Sequence, residues 1–330
     1  MKEIHLKETI IMTKDHIARR EDAHEISESG AFVRQKNRFD TPFGDGEGEL
    51  PVEAGRYRLL WAPICPWAHR SVIARELLGL QDVISLGTAK PVRTDEGWDF
   101  SEDPNGGILP GSDYKYLPEI YAATDPDYEG RATVPTVVDT KTGKVVNNDY
   151  FNLTYYWEEE FKPFHKEDAP DLFPKALQSD IRAFNDMLFN EVNNAVYKCG
   201  FAQSQEAYEE NYDLLFNRLD QLEERLSQQR YLFGDQITDS DIRFYVTLAR
   251  FDVSYYPEFK ANRNRIIDFP NIWNYAKDLY QTPGFGSTTD FTQIKMGYSL
   301  GNVGHNPYHI LAKGPDTSIW NEPHDRDRFN

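Results

Sequence analysis

The chain has 330 residues, enough to bury a large core and to form two domains. With 39% hydrophobic, 27% charged and 14% aromatic residues it is an ordinary globular composition and not a disordered one. A net charge of -18 without a basic cluster excludes a nucleic-acid backbone binder, and no apolar run is long enough to span a membrane.

Residues 1–54 are polar and irregular, with glycines at 44, 46 and 48. They read as an N-terminal arm that wraps the body or lies across a cleft. Met1 to Lys7 lacks the apolar stretch of a secretion signal, so a cytoplasmic location is expected. A first compact domain is expected over 55–162. Tyr57 to Trp61 reads as a strand, and Pro66 to Leu78 as a helix with Pro66 in its first turn. Its apolar stripe is Ala68, Val72, Ile73 and Leu77. Val83 to Leu86 reads as a second strand, giving a parallel βαβ unit.

Residues 87–118 carry Trp98, Phe100, Pro104, Gly106, Gly107, Pro110 and Gly111 and read as a long ordered loop, a kind that is often functional. A short helix is expected over Leu117 to Ala123, then a strand over Thr133 to Val138 entered through Pro135, with Lys144 to Val146 as its hairpin partner. Asn148 and Asp149 are placed to cap a helix running to about Phe161. A proline-bearing linker over 163–174 leads to a helical domain over 175–283. Its helices are expected at Lys175 to Tyr197, Glu206 to Gln228, a third opened by the Thr238-Asp239-Ser240-Asp241 capping box and running through Phe251, and Asn271 to Tyr280. The extension over 284–330 keeps Tyr298, Tyr308 and Trp320, which predicts that it packs back on the body.

Cys65 is the sharpest chemical candidate. It sits at a predicted helix start, where unpaired N–H groups and the helix dipole favour a thiolate. No second cysteine follows three residues later, so the chemistry implied is that of one thiol needing an outside thiol partner. His69 reads as a packing or hydrogen-bonding residue in preference to a catalytic one. The only other cysteine, Cys199, stands far away in sequence and without metal-ligand spacing. His305 and His309 are interrupted by Pro307, so no metal is expected. No glycine-rich phosphate loop follows a strand, which argues against a kinase or a dehydrogenase. Pro135 at a strand entrance leaves the backbone groups of Val134 outside the ladder, free for an extended peptide-like thiol, and a cis Val134–Pro135 bond is one way to expose them. A helix start joined to Asp149 suits the carboxylate and ammonium of an amino-acid group.

These pieces resemble the glutathione transferase superfamily, and within it the glutathionyl-hydroquinone reductases, or xi class. The matching runs are Cys65-Pro66-Trp67-Ala68-His69-Arg70, Gly97-Trp98, Tyr128 to Pro135, Val145 to Asn148, Val192 to Lys198, Asp241-Ile242-Arg243, Arg250-Phe251-Asp252, and Ile294-Lys295 with Tyr298. The resemblance implies an α/β thioredoxin-like N-terminal domain followed by an all-α helical bundle. It implies glutathione, or a related low-molecular-weight thiol, as co-substrate, a hydroquinone-type aromatic substrate, and a homodimer. Carried over, Cys65 is the nucleophile. Trp98, Arg131, Val134 and Pro135, with the Asp149-Tyr150 cap, hold the thiol, and Tyr197 and Tyr298 border the aromatic ring and protonate it. Two departures stand out. Relatives usually carry Asn-Asn-Glu-Ser where this chain has Asn147-Asn148-Asp149-Tyr150, so the thiol is expected to sit differently or to differ from glutathione. Relatives also have bulkier residues where this chain has Gly297 and Ser299, which predicts a roomier substrate end. Beside the reductase reading stand a general deglutathionylase or dehydroascorbate-type reductase using the same cysteine, and a non-catalytic thiol- or aromatic-binding protein.

Overall fold

The computed structural model describes residues 25–301 and 306–329; the expectations resting on residues 1–24 and on His305 lie outside the described residues. A four-stranded sheet has the order β2-β1-β3-β4. β1 (Tyr57–Trp61) runs parallel to β2 (Ile84–Thr88) and antiparallel to β3 (Thr136–Asp139), which pairs antiparallel with β4 (Lys144–Asn147). β1 is buried along its whole length, as an inner strand covered on both faces must be. The crossover from β1 to β2 is α1 (Pro66–Leu78), opened by Pro66 and closed by Gly79 in the left-handed conformation at φ 75°. The expected stripe on α1 understates its burial: among its residues only Glu76 escapes, because the sheet covers one side and the helical half the other. β2 and β3 each begin later than expected, at Ile84 and Thr136, so Val134 and Pro135 precede the ladder.

The long loop is ordered, and a buried arginine organises it. Arg58 on β1 donates from Nε to the Gly107 carbonyl (2.9 Å) and from Nη2 to Asp103 (2.8 Å) and the Asn105 carbonyl (3.0 Å). The loop closes on α2 (Leu117–Thr124) through Leu117 N–H to the Trp98 carbonyl at 3.0 Å. Gly97, at φ 107°, has no room for a side chain, since a Cβ there would lie 2.7 Å from the Pro118 ring.

After β4, α3 (Leu153–Glu159) begins later than the sequence suggested. Asp149 accepts from the Phe151 and Asn152 N–H groups and so caps the turn ahead of that helix. The helix expected over 175–197 is broken. α4 (Gln178–Leu188) passes into a π-helical turn (Phe189–Asn193) and then α5 (Ala195–Gly200). The inserted residue turns Asn193 to the Arg70 guanidinium at 2.8 Å and Asn194 to the arm. α6 (Gln205–Gln228) and α7 (Asp239–Arg250) follow, with the Thr238 capping box as expected. α7 ends one residue early because a second π turn (Phe251–Tyr255) takes over. α8 (Pro270–Gln281) and α9 (Phe291–Ser299) complete the bundle, and Tyr298 stands on α9. Beyond it, Trp320 is buried against Trp273, Tyr280 and Phe291, while Tyr308 is exposed. One continuous hydrophobic core joins the sheet half to the helical half.

Candidate active site

Cys65 is the N-cap of α1, with extended backbone geometry at φ -75° and ψ 113°. The loop before it is held from the other half of the molecule. Arg250, fully buried at the end of α7, donates from Nη2 to the Pro63 carbonyl (2.8 Å) and from Nε to the Ile64 carbonyl (2.7 Å). Its Nη1 reaches the Val246 carbonyl at 2.8 Å and lies 3.2 Å from Nδ1 of His69. With Nδ1 facing a guanidinium, the network assigns the His69 proton to Nε2, which pairs with Thr288 Oγ1 at 2.8 Å. Burial, reinforced by Arg250, holds His69 neutral, far below the usual imidazole range. His69 thus ties α1 to the turn before α9 and has no place in the cavity.

The cavity beside Cys65 is lined by Ile64, Trp67, Trp98, Arg131, Val134, Tyr150, Tyr197 and Tyr298, and by Glu25, Arg34 and Gln35 of the arm. The Cys65 thiol donates to the Val134 carbonyl at 3.3 Å, across the cis Val134–Pro135 bond. The N–H groups of Ala68 and Trp67 and the guanidiniums of Arg250 and Arg34 favour a thiolate, yet burial outweighs them and pushes the thiol above its ordinary value. Burial of the sulfur thus opposes the ionisation expected of Cys65. The helix terminus supplies its stabilisation, but desolvation of the sulfur is the larger effect.

Tyr197 and Tyr298 line the cavity, and the Tyr255 hydroxyl converges on theirs from outside the lining. Tyr197 and Tyr298 lie 2.6 Å apart, and Tyr255 stands 3.1 Å from Tyr298 and 3.3 Å from Tyr197. Burial raises all three, so they are phenols able to donate. Tyr255 comes from the second π turn; its signal in the sequence was only its nearness to the Arg250-Phe251-Asp252 run. Gly297 lines the cavity and is itself closely packed on its Cα side. A Cβ there would lie 2.4 Å from Cδ1 of Ile64 and 2.7 Å from the Pro91 carbonyl, so neighbouring atoms fill the space a side chain would take.

Trp98, Arg131, Val134, Tyr150, Tyr197 and Tyr298 all meet around Cys65, while Pro135 fixes Val134 from behind. Asp149 does not join them. It lines a neighbouring groove, and its carboxylate is taken up by Asn37, Asn152 and two backbone N–H groups. The sequence reading expected an arm across a cleft but named none of the arm residues that line it. Arg34 lies 4.4 Å over the Trp67 ring and 5.0 Å from that of Tyr197, anchored by two hydrogen bonds to Asn194 (3.0 and 2.9 Å). Cys199 is free and buried, its thiol pushed up to about 12 by desolvation. Among the described residues no three His, Cys, Asp or Glu side chains gather as a metal site, and no helix is long and apolar enough to cross a membrane.

A small mixed sheet carrying a helix-capping cysteine opposite a cis-proline, with a helical bundle packed on it, defines the glutathione transferase fold. Models of the glutathione S-transferase N-terminal and C-terminal domains match residues 64–160 and 205–278. The chain is 37% identical over 311 residues to glutathionyl-hydroquinone reductase YqjG of Escherichia coli K12, covering 91% of this chain and 94% of that one. It is 34% identical to glutathionyl-hydroquinone reductase PcpF of Sphingobium chlorophenolicum, with 88% and 91% covered. The structure of the xi glutathione transferase of Phanerochaete chrysosporium superposes with a TM-score of 0.85 at 35% identity over 95% of this chain and all (100%) of that one. The glutathione-bound structure of YqjG superposes with a TM-score of 0.79, covering 88% and 95%. The chain belongs to the glutathionyl-hydroquinone reductases, the xi class of the glutathione transferases.

Proposed function

We propose that this protein is a thiol-dependent reductase that removes a glutathionyl, or related thiol, adduct from hydroquinones through a mixed disulfide on Cys65. The observation that carries this reading is one cavity holding both the Cys65 thiol and the paired Tyr197 and Tyr298 hydroxyls. In the first step the Cys65 thiolate attacks the adduct sulfur. A sulfur–sulfur bond forms, the bond from sulfur to the ring carbon breaks with its electron pair on carbon, and the tyrosine pair supplies the proton that completes the hydroquinone. The ring is reduced and the two sulfurs are oxidised to a disulfide. In the second step the thiolate of a second glutathione attacks the mixed disulfide, releasing oxidised glutathione and the Cys65 thiolate. Solvent returns the proton to the tyrosine pair.

A phenol suits the proton transfer because it stays protonated at neutral pH and stacks along an aromatic ring. Trp98, Arg131 and the Val134 backbone, set by Pro135, hold the thiol in this reading, and Tyr150 walls its inner end beside Asp149. A homodimer in the cytoplasm is proposed with it, on the strength of the family. The test is to mix the protein with a glutathionyl-hydroquinone and read the intact mass. Wild type gains one glutathionyl group on Cys65 and releases hydroquinone; Cys65→Ser does neither. Turnover by Cys65→Ser at the wild-type rate would sink the proposal. Adduct binding without any mixed disulfide on wild type would favour a non-catalytic binding protein.

A further inference from the structure

The arm places its own polar side chains on the groups read above as thiol-binding. Glu25, buried, sets both carboxylate oxygens on Nη2 of Arg131, at 2.6 and 2.7 Å. The Gln35 amide pairs with both backbone groups of the same residue. The Arg131 N–H donates to Gln35 Oε1, and Gln35 Nε2 donates to the Arg131 carbonyl, each at 3.0 Å. Asn37 Nδ2 donates to the Asp149 carboxylate at 3.1 Å. The arm also divides the available space. The cavity it leaves beside Cys65 is about 160 Å³, whereas the groove on its other side, sharing Arg34, Gln35 and Asn37, is about 640 Å³.

A guanidinium facing a cleft is shaped to receive a carboxylate, and here Glu25 of the same chain already fills that place. We propose that Glu25 is a specificity residue for the thiol, a built-in occupant of the carboxylate subsite at Arg131. A thiol with a carboxylate at that end exchanges one ion pair for another and gains nothing from the charge. A thiol uncharged there leaves the Glu25–Arg131 pair in place. This rests on the thiol-dependent reading given above.

The test is calorimetric titration of the full chain with reduced glutathione and with glutathione diethyl ester, in which both carboxylates are blocked. Wild type is expected to prefer glutathione over the diester less than Glu25→Gln does. Glu25→Gln frees the Arg131 charge and is expected to bind glutathione about tenfold tighter, with the diester unchanged. Glu25→Asp keeps a carboxylate and is expected to keep the wild-type preference. An identical glutathione-to-diester ratio in wild type and Glu25→Gln overturns the proposal and leaves the reductase reading standing. A shift in Glu25→Asp equal to that in Glu25→Gln also overturns it, because the effect would then follow arm packing and not charge. If neither thiol binds any of the three proteins, the thiol-dependent reading fails and this one with it.

Discussion

The guanidinium of Arg250 donates to the carbonyl of Ile64 at 2.7 Å, the residue immediately before Cys65. Through this bond and its companion to Pro63, the end of a bundle helix holds the turn that presents the thiol. A hydrogen bond to a charged group contributes about 1.5–3 kcal/mol, and a carbonyl left buried without its donor costs about as much again as a neutral bond. Arg250→Met, similar in length but without donors, should therefore lose at least about 3 kcal/mol of stability. Urea unfolding checks this, and in the surviving folded fraction the rate of Cys65 alkylation should change as the turn relaxes.

Burial raises the Cys65 thiol above its ordinary value. Alkylation of Cys65 by iodoacetamide should rise about tenfold per pH unit and keep rising past the ordinary thiol value of roughly 8.5. A plateau reached below pH 7 would contradict the dominance of desolvation. The same sign applies to stability: the unfolded chain loses this proton first, so the contribution from Cys65 is full below the unfolded value and falls as pH climbs through the raised one.

Tyr197 and Tyr298 share one short contact, and Tyr255 touches both. Proton donation to the ring is worth roughly 10²–10⁴ in rate. Tyr197→Phe and Tyr298→Phe should each lower kcat by about a hundredfold, and the double variant should lose little beyond the worse single one, because the pair acts as one donor. Tyr255→Phe, behind the pair and outside the cavity lining, should have a smaller effect. Single-turnover release of hydroquinone separates these outcomes.

Glu158 on α3 is buried against Asp239 of α7, and burial with that neighbouring carboxylate raises it well above the usual range. Its stabilising contribution is full below the unfolded value of roughly 4.3 and is lost as pH rises toward the raised folded value. Glu158→Gln removes that loss while keeping the volume. It should match wild type near pH 4 and exceed it at pH 8, by on the order of 1 kcal/mol or more. Melting temperatures across that range measure the difference.

Much of the scaffold was legible because it rests on local signals. Pro66 and Gly79 punctuate α1, Thr238 and Asp241 open α7, and the run from Tyr57 to Trp61 is apolar enough for an inner strand. The long helix expected over 175–197 was misread because a π turn leaves no mark in hydrophobic spacing; it inserts one residue and turns Asn193 and Asn194 to partners far away in sequence.

By itself the sequence determined the fold class, a lone cysteine at a helix start, and the aromatic and basic residues that resemble a thiol-dependent family, since these depend on residue type and on spacing within one element. Only the tertiary structure decided how strongly burial opposes ionisation of Cys65, because desolvation is set by everything packed around it and works against what its own helix supplies. It likewise decided the convergence of Tyr197, Tyr255 and Tyr298, drawn from separate turns of the bundle, and the seating of Glu25 on Arg131 across 106 positions of chain. Contacts at such separations arise from packing between elements, which no local pattern encodes.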